Sequence, residues 1–186
     1  MPRWRRLAAI APTYAYIAWW GLVSPRVRER RDLVVHQGVV LGDEGVLLTV
    51  RATLRGWELP GGGAEPGESG ESAVAREVLE ETGLTVSVEA KVAEYVRSGF
   101  RPHTACIYRC RALAGTPTPS DETPLVRWFP ADALPSTLFP WYRGPIEDTL
   151  ADRPELSIRH EVQGARAILA GMAIDLRMRW SDDAAR

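Results

Sequence analysis

Hydrophobic and polar positions alternate in short runs through the middle of the chain, a pattern typical of β-strands. The first run covers residues 33–41 and is rich in β-branched side chains. The turn-forming residues 42–45 separate it from a second run, so the pair predicts a β-hairpin. In the same way, strands are predicted at residues 46–50, 57–59, 85–97, 103–111 and 125–129.

A helical period replaces the alternation at three places. The first helix is predicted over residues 70–82, with Ser69 as its N-cap and Gly83 as the residue that ends it. A short helix is expected over residues 146–151. A longer one, over residues 162–179, has an apolar stripe of Val162, Ala165, Leu169, Met172, Ala173 and Leu176. Strands followed by helices predict an α/β fold, a mixed sheet with helices packed over it.

Residues 7–23 form an uncharged segment with arginines on both sides. Its 17 residues are at the short limit for a membrane-spanning helix, and five alanines and Pro12 make it weakly hydrophobic. Apolar residues recur at helical spacing from Trp4 to Leu22, which predicts an amphipathic helix packed on the domain or on a second subunit. A helix lying in the membrane surface and a true span remain the alternatives.

The composition of the 186 residues fits one folded domain, residues 32–186, preceded by a helical extension over residues 1–31. With 45% hydrophobic and 25% charged residues, disorder along the whole length is excluded. A net charge of −1 gives no indication of nucleic-acid binding. Cys106 and Cys110 provide neither a disulfide framework nor a complete zinc site, so a reducing cytoplasm is the expected location.

The charges are unevenly distributed, and the acidic ones concentrate on the predicted helix over residues 70–82. At about 100° per residue, Glu77, Glu80 and Glu81 share an arc of about 100°, where their negative charges repel one another. A bound hard divalent cation, Mg²⁺ or Mn²⁺, would offset that repulsion. Arg76 is placed to orient a carboxylate. An ordinary, solvated acidic helix remains the alternative on the charges alone.

The stretch from residue 62 to residue 84 resembles the signature box of the Nudix hydrolases. That pattern has glycine, five residues, glutamate, seven residues, Arg-Glu, an aliphatic residue, any residue, Glu-Glu, any residue, glycine and an aliphatic residue. The approach to the box, residues 57–61, is also similar to that of the family. All the fixed positions are matched, by Gly62, Glu68, Arg76, Glu77, Val78, Glu80, Glu81, Gly83 and Leu84.

The resemblance implies a Nudix α/β/α sandwich and the hydrolysis of a nucleoside diphosphate linked to another group. By position, Glu77, Glu80 and Glu81 would hold the divalent cations, and Arg76 would orient the glutamates. Gly62 would shape the loop before the helix, where the substrate binds. A base is needed near the attacking water, and the candidates are Glu81, Glu80 and Glu122, the last in a loop before the strand at residues 125–129.

Further substrate contacts are proposed from residue type. Arg97 and Arg101 suit phosphate, while Phe100 and Trp57 can stack on a base or simply pack in the core. His103 is a candidate phosphate donor, although a lone histidine is more often structural.

The resemblance to the family implies ADP-ribose or a nucleotide sugar as the substrate, and the alternative is a nucleoside triphosphate, oxidised or not. A non-catalytic nucleotide sensor on the same fold is the competing function, although such a sensor should have lost box carboxylates that this chain retains. A homodimer is expected, because the apolar N-terminal segment needs a partner surface. The same segment leaves contact with a membrane surface open.

Overall fold

The computed structural model describes residues 11, 12, 14–16, 18, 19 and 33–180. The first seven of these have a helical backbone, in agreement with part of the helix predicted over residues 7–23. The rest of that predicted segment, and the arginines on either side of it, lie outside the described residues. No helix of the described chain is long and apolar enough to cross a membrane.

Eight strands of the described chain form one mixed sheet. They are β1 (Val34–Gly42), β2 (Gly45–Val50), β3 (Trp57–Glu58), β4 (Gly61–Gly62), β5 (Thr85–Gly99), β6 (His103–Ala114), β7 (Leu125–Phe129) and β8 (Ser157–Gln163). The order is β3-β2-β1-β6-β5-β8, with β4 paired to β1 and β7 paired to β2. β1 runs parallel to β6, and β8 runs parallel to β5. The predicted hairpin is the antiparallel pair β1–β2, in which Leu41 faces Val46.

Helices cover both faces of the sheet. Helix α1 (Gly70–Thr82) packs on one face, where its apolar side chains meet one buried cluster. The 3₁₀ turn Pro140–Tyr142 and the helices α2 (Arg143–Leu150) and α3 (Ala165–Trp180) contribute to a second cluster on the other face. Successive side chains of a strand point to opposite faces, so Val39 joins the second cluster and its neighbour Val40 the first. The predicted α/β class is confirmed.

The C-terminal third differs from the prediction. Residues 157–163 form β8, which was not predicted, and the long helix begins at Ala165, not at residue 162. The predicted apolar stripe is wrong, because Val162 and Leu169 are 79% and 65% exposed, whereas Gly171, Asp175 and Met178 are buried. The packing of the helix sets its buried side: Gly171 lies against the Trp141 ring, and a Cβ there would be 3.1 Å from that ring.

Candidate active site

Helix α1 carries the acidic residues, and both of its ends are fixed locally as predicted. The Ser69 hydroxyl accepts a hydrogen bond from the Ser72 N–H, and Gly83 ends the helix in the left-handed conformation with φ 73°. The Gly83 N–H donates to the carbonyl of Leu79 at 2.9 Å. The buried face consists of Ala73, Val74, Val78, Glu81 and Thr82. Glu81 is therefore on the sheet side of the helix, while Glu80 is exposed.

Two glycines of β4 bring the main chain close to these carboxylates. A Cβ at Gly62 would lie 2.4 Å from Oε1 of Glu77, so a larger residue would require that carboxylate to move. Gly61 has φ 146°, and a Cβ there would meet the carbonyl oxygen of His36 at 2.1 Å. The Gly61 N–H donates to Oε2 of Glu81 at 3.0 Å. The two residues thus line the acidic side of α1 with backbone.

Arg76 joins the outer carboxylates into one group. Its guanidinium donates to both oxygens of Glu68 at 3.0 Å, to Oε1 of Glu77 at 3.0 Å and to Oε2 of Glu80 at 3.2 Å. A fifth hydrogen bond reaches the carbonyl of Gly63 at 3.1 Å. These contacts hold the pKa of Glu68 below its ordinary value. Because all its donors converge on the loop and the helix, Arg76 sets the position of the carboxylates around it.

Glu81 occupies a different environment from Glu77 and Glu80. Its side chain is 6% exposed and contacts Arg51, whose Nη2 lies 3.4 Å from Oε1. Burial raises the pKa of Glu81 to about 7, and the neighbouring carboxylates of Glu58 and Glu77 add to the rise. Arg51 and the Gly61 N–H oppose this effect without cancelling it. The surroundings of Glu81 therefore disfavour its ionised form.

A second buried carboxylate, Glu58 on β3, was missed in the sequence. Its Oε1 accepts from Nε of Arg51 at 2.9 Å, and its Oε2 accepts from the Tyr142 hydroxyl at 3.3 Å. Gln37 donates to that hydroxyl at 3.4 Å, while its own buried Oε1 has no hydrogen-bond partner within the described chain. The signal that was available is the polar residue in the short strand between Trp57 and Leu59.

The oxygen ligands available fit a hard divalent cation, although the described residues hold no preformed metal site. Within residues 33–180 and the described helical residues, no three acidic, histidine or cysteine side chains are gathered at metal-binding distance. Glu77 and Glu80 contact Arg76, and Glu81 contacts Arg51 and Gly61. The groups here that could bind a metal are carboxylate and carbonyl oxygens, which Mg²⁺ and Mn²⁺ prefer as ligands. A cation bound beside Glu81 would favour its ionised form, which burial disfavours.

The loop that carries Glu122 lies next to Glu81. The Thr123 hydroxyl donates to the backbone carbonyl of Glu81, and the Glu122 carbonyl accepts from the N–H of Ala52 at 2.9 Å. The Glu122 side chain is exposed. The loop is thus fixed beside the acidic helix through its backbone, and the proposed role of Glu122 as a base remains a prediction.

The predicted substrate-binding residues lie in two other places. Trp57 is 6% exposed and packs edge-on against Phe129, with ring centroids 4.7 Å apart. The Arg97 side chain is buried, pairs with Glu161 at 3.0 Å and donates to the carbonyl of Trp141 at 2.6 Å. Trp57 and Arg97 therefore have structural partners.

Phe100 and Arg101 form the turn between β5 and β6, where Arg101 has a positive φ of 48°. Both side chains are partly exposed. Their contact with substrate remains a prediction.

Comparison with known proteins finds similar sequences and structures for this part of the chain. A family model described as the NUDIX domain matches residues 33–149. A MutT-like protein from Streptomyces ambofaciens is 37% identical over 114 residues, which cover 61% of this chain and 73% of that protein. A Bacillus subtilis protein, provisionally named an 8-oxo-dGTP diphosphatase, is 30% identical over 142 residues, 76% of this chain and 92% of that protein. The crystal structure of a NUDIX hydrolase from Nitrosomonas europaea superposes with a TM-score of 0.61 and 25% identity, over 71% of this chain and 81% of that chain.

Proposed function

Because the chain belongs to the Nudix hydrolase family, we propose that it hydrolyses a pyrophosphate bond in a nucleoside diphosphate linked to another group, with the help of a divalent cation. The observation that carries the proposal is the arrangement around Arg76, which holds Glu68, Glu77 and Glu80 together beside the buried Glu81. Every fixed position of the family box is retained, which favours a catalyst over a nucleotide sensor.

In this proposal Glu77, Glu80 and Glu81 hold Mg²⁺ or Mn²⁺. The cation supplies charge neutralisation of the phosphate oxygens and a bound water of lowered pKa. The role of Arg76 is to fix Glu77 and Glu80, and that of Gly62 is to leave space for the Glu77 carboxylate. Glu81, Glu80 and Glu122 are the candidates for the base that takes the proton of the attacking water. The loop contact between Thr123 and the Glu81 carbonyl supports keeping Glu122 among them.

The substrate class has two candidates. ADP-ribose or a nucleotide sugar suits a site in which Arg101 and Phe100 on the β5–β6 turn contact phosphate and base, with Arg97 and Trp57 supporting them from the core. An oxidised nucleoside triphosphate is favoured by the name of the Bacillus subtilis relative, and the match covers 92% of that protein. Both candidates use the same carboxylates, because both reactions cleave a phosphoanhydride.

The experiment is a substrate panel with the purified full chain and Mg²⁺ or Mn²⁺, covering ADP-ribose, nucleotide sugars, dinucleoside polyphosphates, NADH and oxidised dNTPs. Glu81→Gln should lower kcat by at least about 10²-fold, because it removes a group linked to the metal or the proton transfer. Glu71→Gln, an exposed change in the first turn of the same helix, should leave kcat within about twofold. Excess EDTA should abolish turnover.

Three results would contradict the proposal. Turnover that persists in excess EDTA would show that the reaction needs no divalent cation. Wild-type turnover of Glu81→Gln would show that this residue takes no part in the chemistry. Nucleotide binding without hydrolysis of any compound in the panel would favour the sensor. Circular dichroism of each variant separates a loss of chemistry from a loss of fold.

The rest of the organisation is also a proposal. We propose a helical extension over residues 1–31 ahead of a Nudix domain over residues 32–186, a homodimer, and a cytoplasmic location. Contact of residues 1–25 with a membrane surface is the open alternative. The two thiols, Cys106 and Cys110, are buried and unpaired, which supports a reducing compartment. The hydrogen bond from Tyr14 to Asp175 at 2.6 Å supports packing of the extension on α3. Cell fractionation without detergent tests the membrane contact. Recovery of full-length protein in the soluble fraction would rule that contact out.

A further inference from the structure

Strand β8 lies at an edge of the sheet and pairs with β5 alone among the described strands. The carbonyl of Gln163 accepts from the Phe100 N–H at 2.9 Å, and the carbonyl of Glu161 accepts from the Ser98 hydroxyl at 3.4 Å. The odd-numbered residues of β8 therefore direct their backbone groups toward β5. By alternation, Ile158, His160 and Val162 direct theirs to the open side, where a further strand can pair. The Val162 carbonyl already accepts from the Gly164 N–H at 3.1 Å, so a partner strand would share this acceptor.

The open edge lacks three of the features that normally prevent pairing, although it carries the charged residues Arg159 and Glu161. Exposed edge strands are usually protected by proline, lysine or a bulge, and β8 contains no proline or lysine and pairs with β5 in unbroken register. Instead it exposes apolar side chains, with Ile158 59% and Val162 79% exposed. Leu156, just before the strand, is exposed as well. Such an edge is a site for β-strand addition.

We propose that the partner of this edge is β8 of a second copy of the chain, antiparallel across a two-fold axis through His160. The sequence of β8, SIRHEVQ, is chemically symmetric about that residue. Antiparallel pairing centred there places Arg159 opposite Glu161 of the second copy, Ile158 opposite its Val162, and Ser157 opposite its Gln163. Because the interface is isologous, each of these pairs occurs twice. Opposite charges and apolar pairs directly across a sheet stabilise it.

Shifting the two-fold axis to a neighbouring residue of β8 gives less favourable side-chain pairs. Centring the pairing on Arg159 or Glu161 places two like charges opposite each other. A centre at Ile158 pairs Glu161 with Glu155, and a centre at Val162 leaves both charged residues without an opposite partner. Only the register about His160 matches both charges and uses all seven residues of β8.

The charged side chains of β8 are held in place by the subunit itself. Arg159 contacts both oxygens of Asp148, and Glu161 accepts from Nε of Arg97 at 3.0 Å. Their side chains nevertheless remain 44% and 34% exposed, so each can also meet its counterpart across the axis. Because these contacts already order both side chains, pairing costs less conformational entropy than it would for free ones.

The first test measures the mass of the full chain in solution by light scattering. We expect about 41 kDa, twice the 20.6 kDa of the chain. Val162→Lys puts a charge opposite Ile158 of the second copy and should weaken dimerisation by at least about tenfold. Leu113→Lys is the matched control, since Leu113 on β6 is 61% exposed but lies away from this edge, and it should have no effect.

The second test uses disulfide cross-linking to read the register. In the proposed pairing the two His160 residues face each other at a Cα distance of about 5.5 Å, which a disulfide can bridge. His160→Cys should therefore cross-link to a dimer under mild oxidation. Ser157→Cys should not, because the two copies of that residue are about 20 Å apart. A mixture of Ser157→Cys and Gln163→Cys chains should cross-link to each other.

A monomer at 100 µM would overturn the proposal. So would a dimer that Val162→Lys leaves intact, or one in which His160→Cys cross-links no better than Ser157→Cys, because either result would place the contact on another surface. The cross-linking arms do not depend on enzymatic activity, so they remain informative if the proposed reaction is wrong.

Discussion

Three glutamates of one helix face have three different surroundings. The helical period places Glu77, Glu80 and Glu81 together, yet Glu80 is exposed, Glu77 touches Gly62, and Glu81 is buried against Arg51 and Gly61. Burial is what raises the pKa of Glu81, and it follows from the contact of α1 with β4. The role of each carboxylate therefore depends on which neighbour covers it, in addition to its place in the box.

His103 provides a test of pH dependence. Its Nδ1 lies 2.7 Å from the carbonyl of Arg101, and burial lowers its pKa to about 4, with Arg97 and Arg101 adding to the effect. The unfolded chain takes up a proton as the pH falls below about 6.5, while the folded chain does so only near pH 4. The stability contributed by neutral His103 is therefore complete above pH 6.5 and lost as the pH falls toward 4.

We expect the free energy of unfolding to fall by about 1–2 kcal/mol between pH 7 and pH 5 through this histidine. His103→Asn can still donate a hydrogen bond and does not titrate, so it should lose that part of the pH dependence. Urea unfolding at both pH values measures the difference. If the free energy of unfolding falls by the same amount between pH 7 and pH 5 in the wild type and the variant, His103 is not the titrating group.

Helix α1 shows how local signals define an element. Its N-cap and its last residue agree with the prediction, because both depend on hydrogen bonds within a few residues of the chain. Strand β8 shows the opposite, since its charged and polar residues give no apolar alternation. It becomes a strand by pairing with β5, about 60 residues earlier in the chain.

Gly83→Ala tests the C-terminal end of α1. Gly83 has φ 73°, and an added Cβ would lie 3.1 Å from Cβ of Thr118, so we expect a loss of about 1–2 kcal/mol in stability. Gly63→Ala is the control, because an added Cβ there meets nothing within 4 Å and φ is not in the left-handed region, and it should change stability by less than about 0.5 kcal/mol. Urea unfolding measures both, and equal losses would argue against backbone strain as the cause.

Asp175 connects three distant parts of the molecule. It is completely buried and accepts hydrogen bonds from the Tyr14 hydroxyl at 2.6 Å, the Arg55 N–H at 2.6 Å and Nε of Arg179 at 2.8 Å. Arg179 in turn donates to the carbonyl of Thr53 at 2.8 Å. The N-terminal helical residues, the loop before β3 and helix α3 are thus joined at one carboxylate.

We expect Asp175→Asn to lower stability by about 2–4 kcal/mol, because it removes the charge of a completely buried carboxylate that Arg179 contacts. Tyr14→Phe removes one hydrogen bond and should cost about 1 kcal/mol, whereas Tyr16→Phe, at a side chain 64% exposed, should cost almost nothing. Thermal unfolding of the three variants measures the order of their losses in stability. If Tyr14→Phe and Tyr16→Phe behave alike, the N-terminal residues do not stabilise the domain.

The amino-acid sequence was sufficient for the features that depend on short-range spacing. The α/β class, the strand runs, the two ends of helix α1 and the match to the family box follow from periods of two and 3.6 residues and from capping within one turn. These interactions involve neighbours in the chain, so their partners can be identified without knowing the fold.

Tertiary structure decided the features that depend on partners far apart in the chain. The burial of Glu58 and Glu81, the pairing of Arg51 with both, and the strand β8 all arise where β3, α1 and β5 meet distant segments. The physical reason is that burial and strand pairing depend on how the chain closes on itself. A charged run such as residues 157–163 is compatible with several structures until a neighbouring strand is in place.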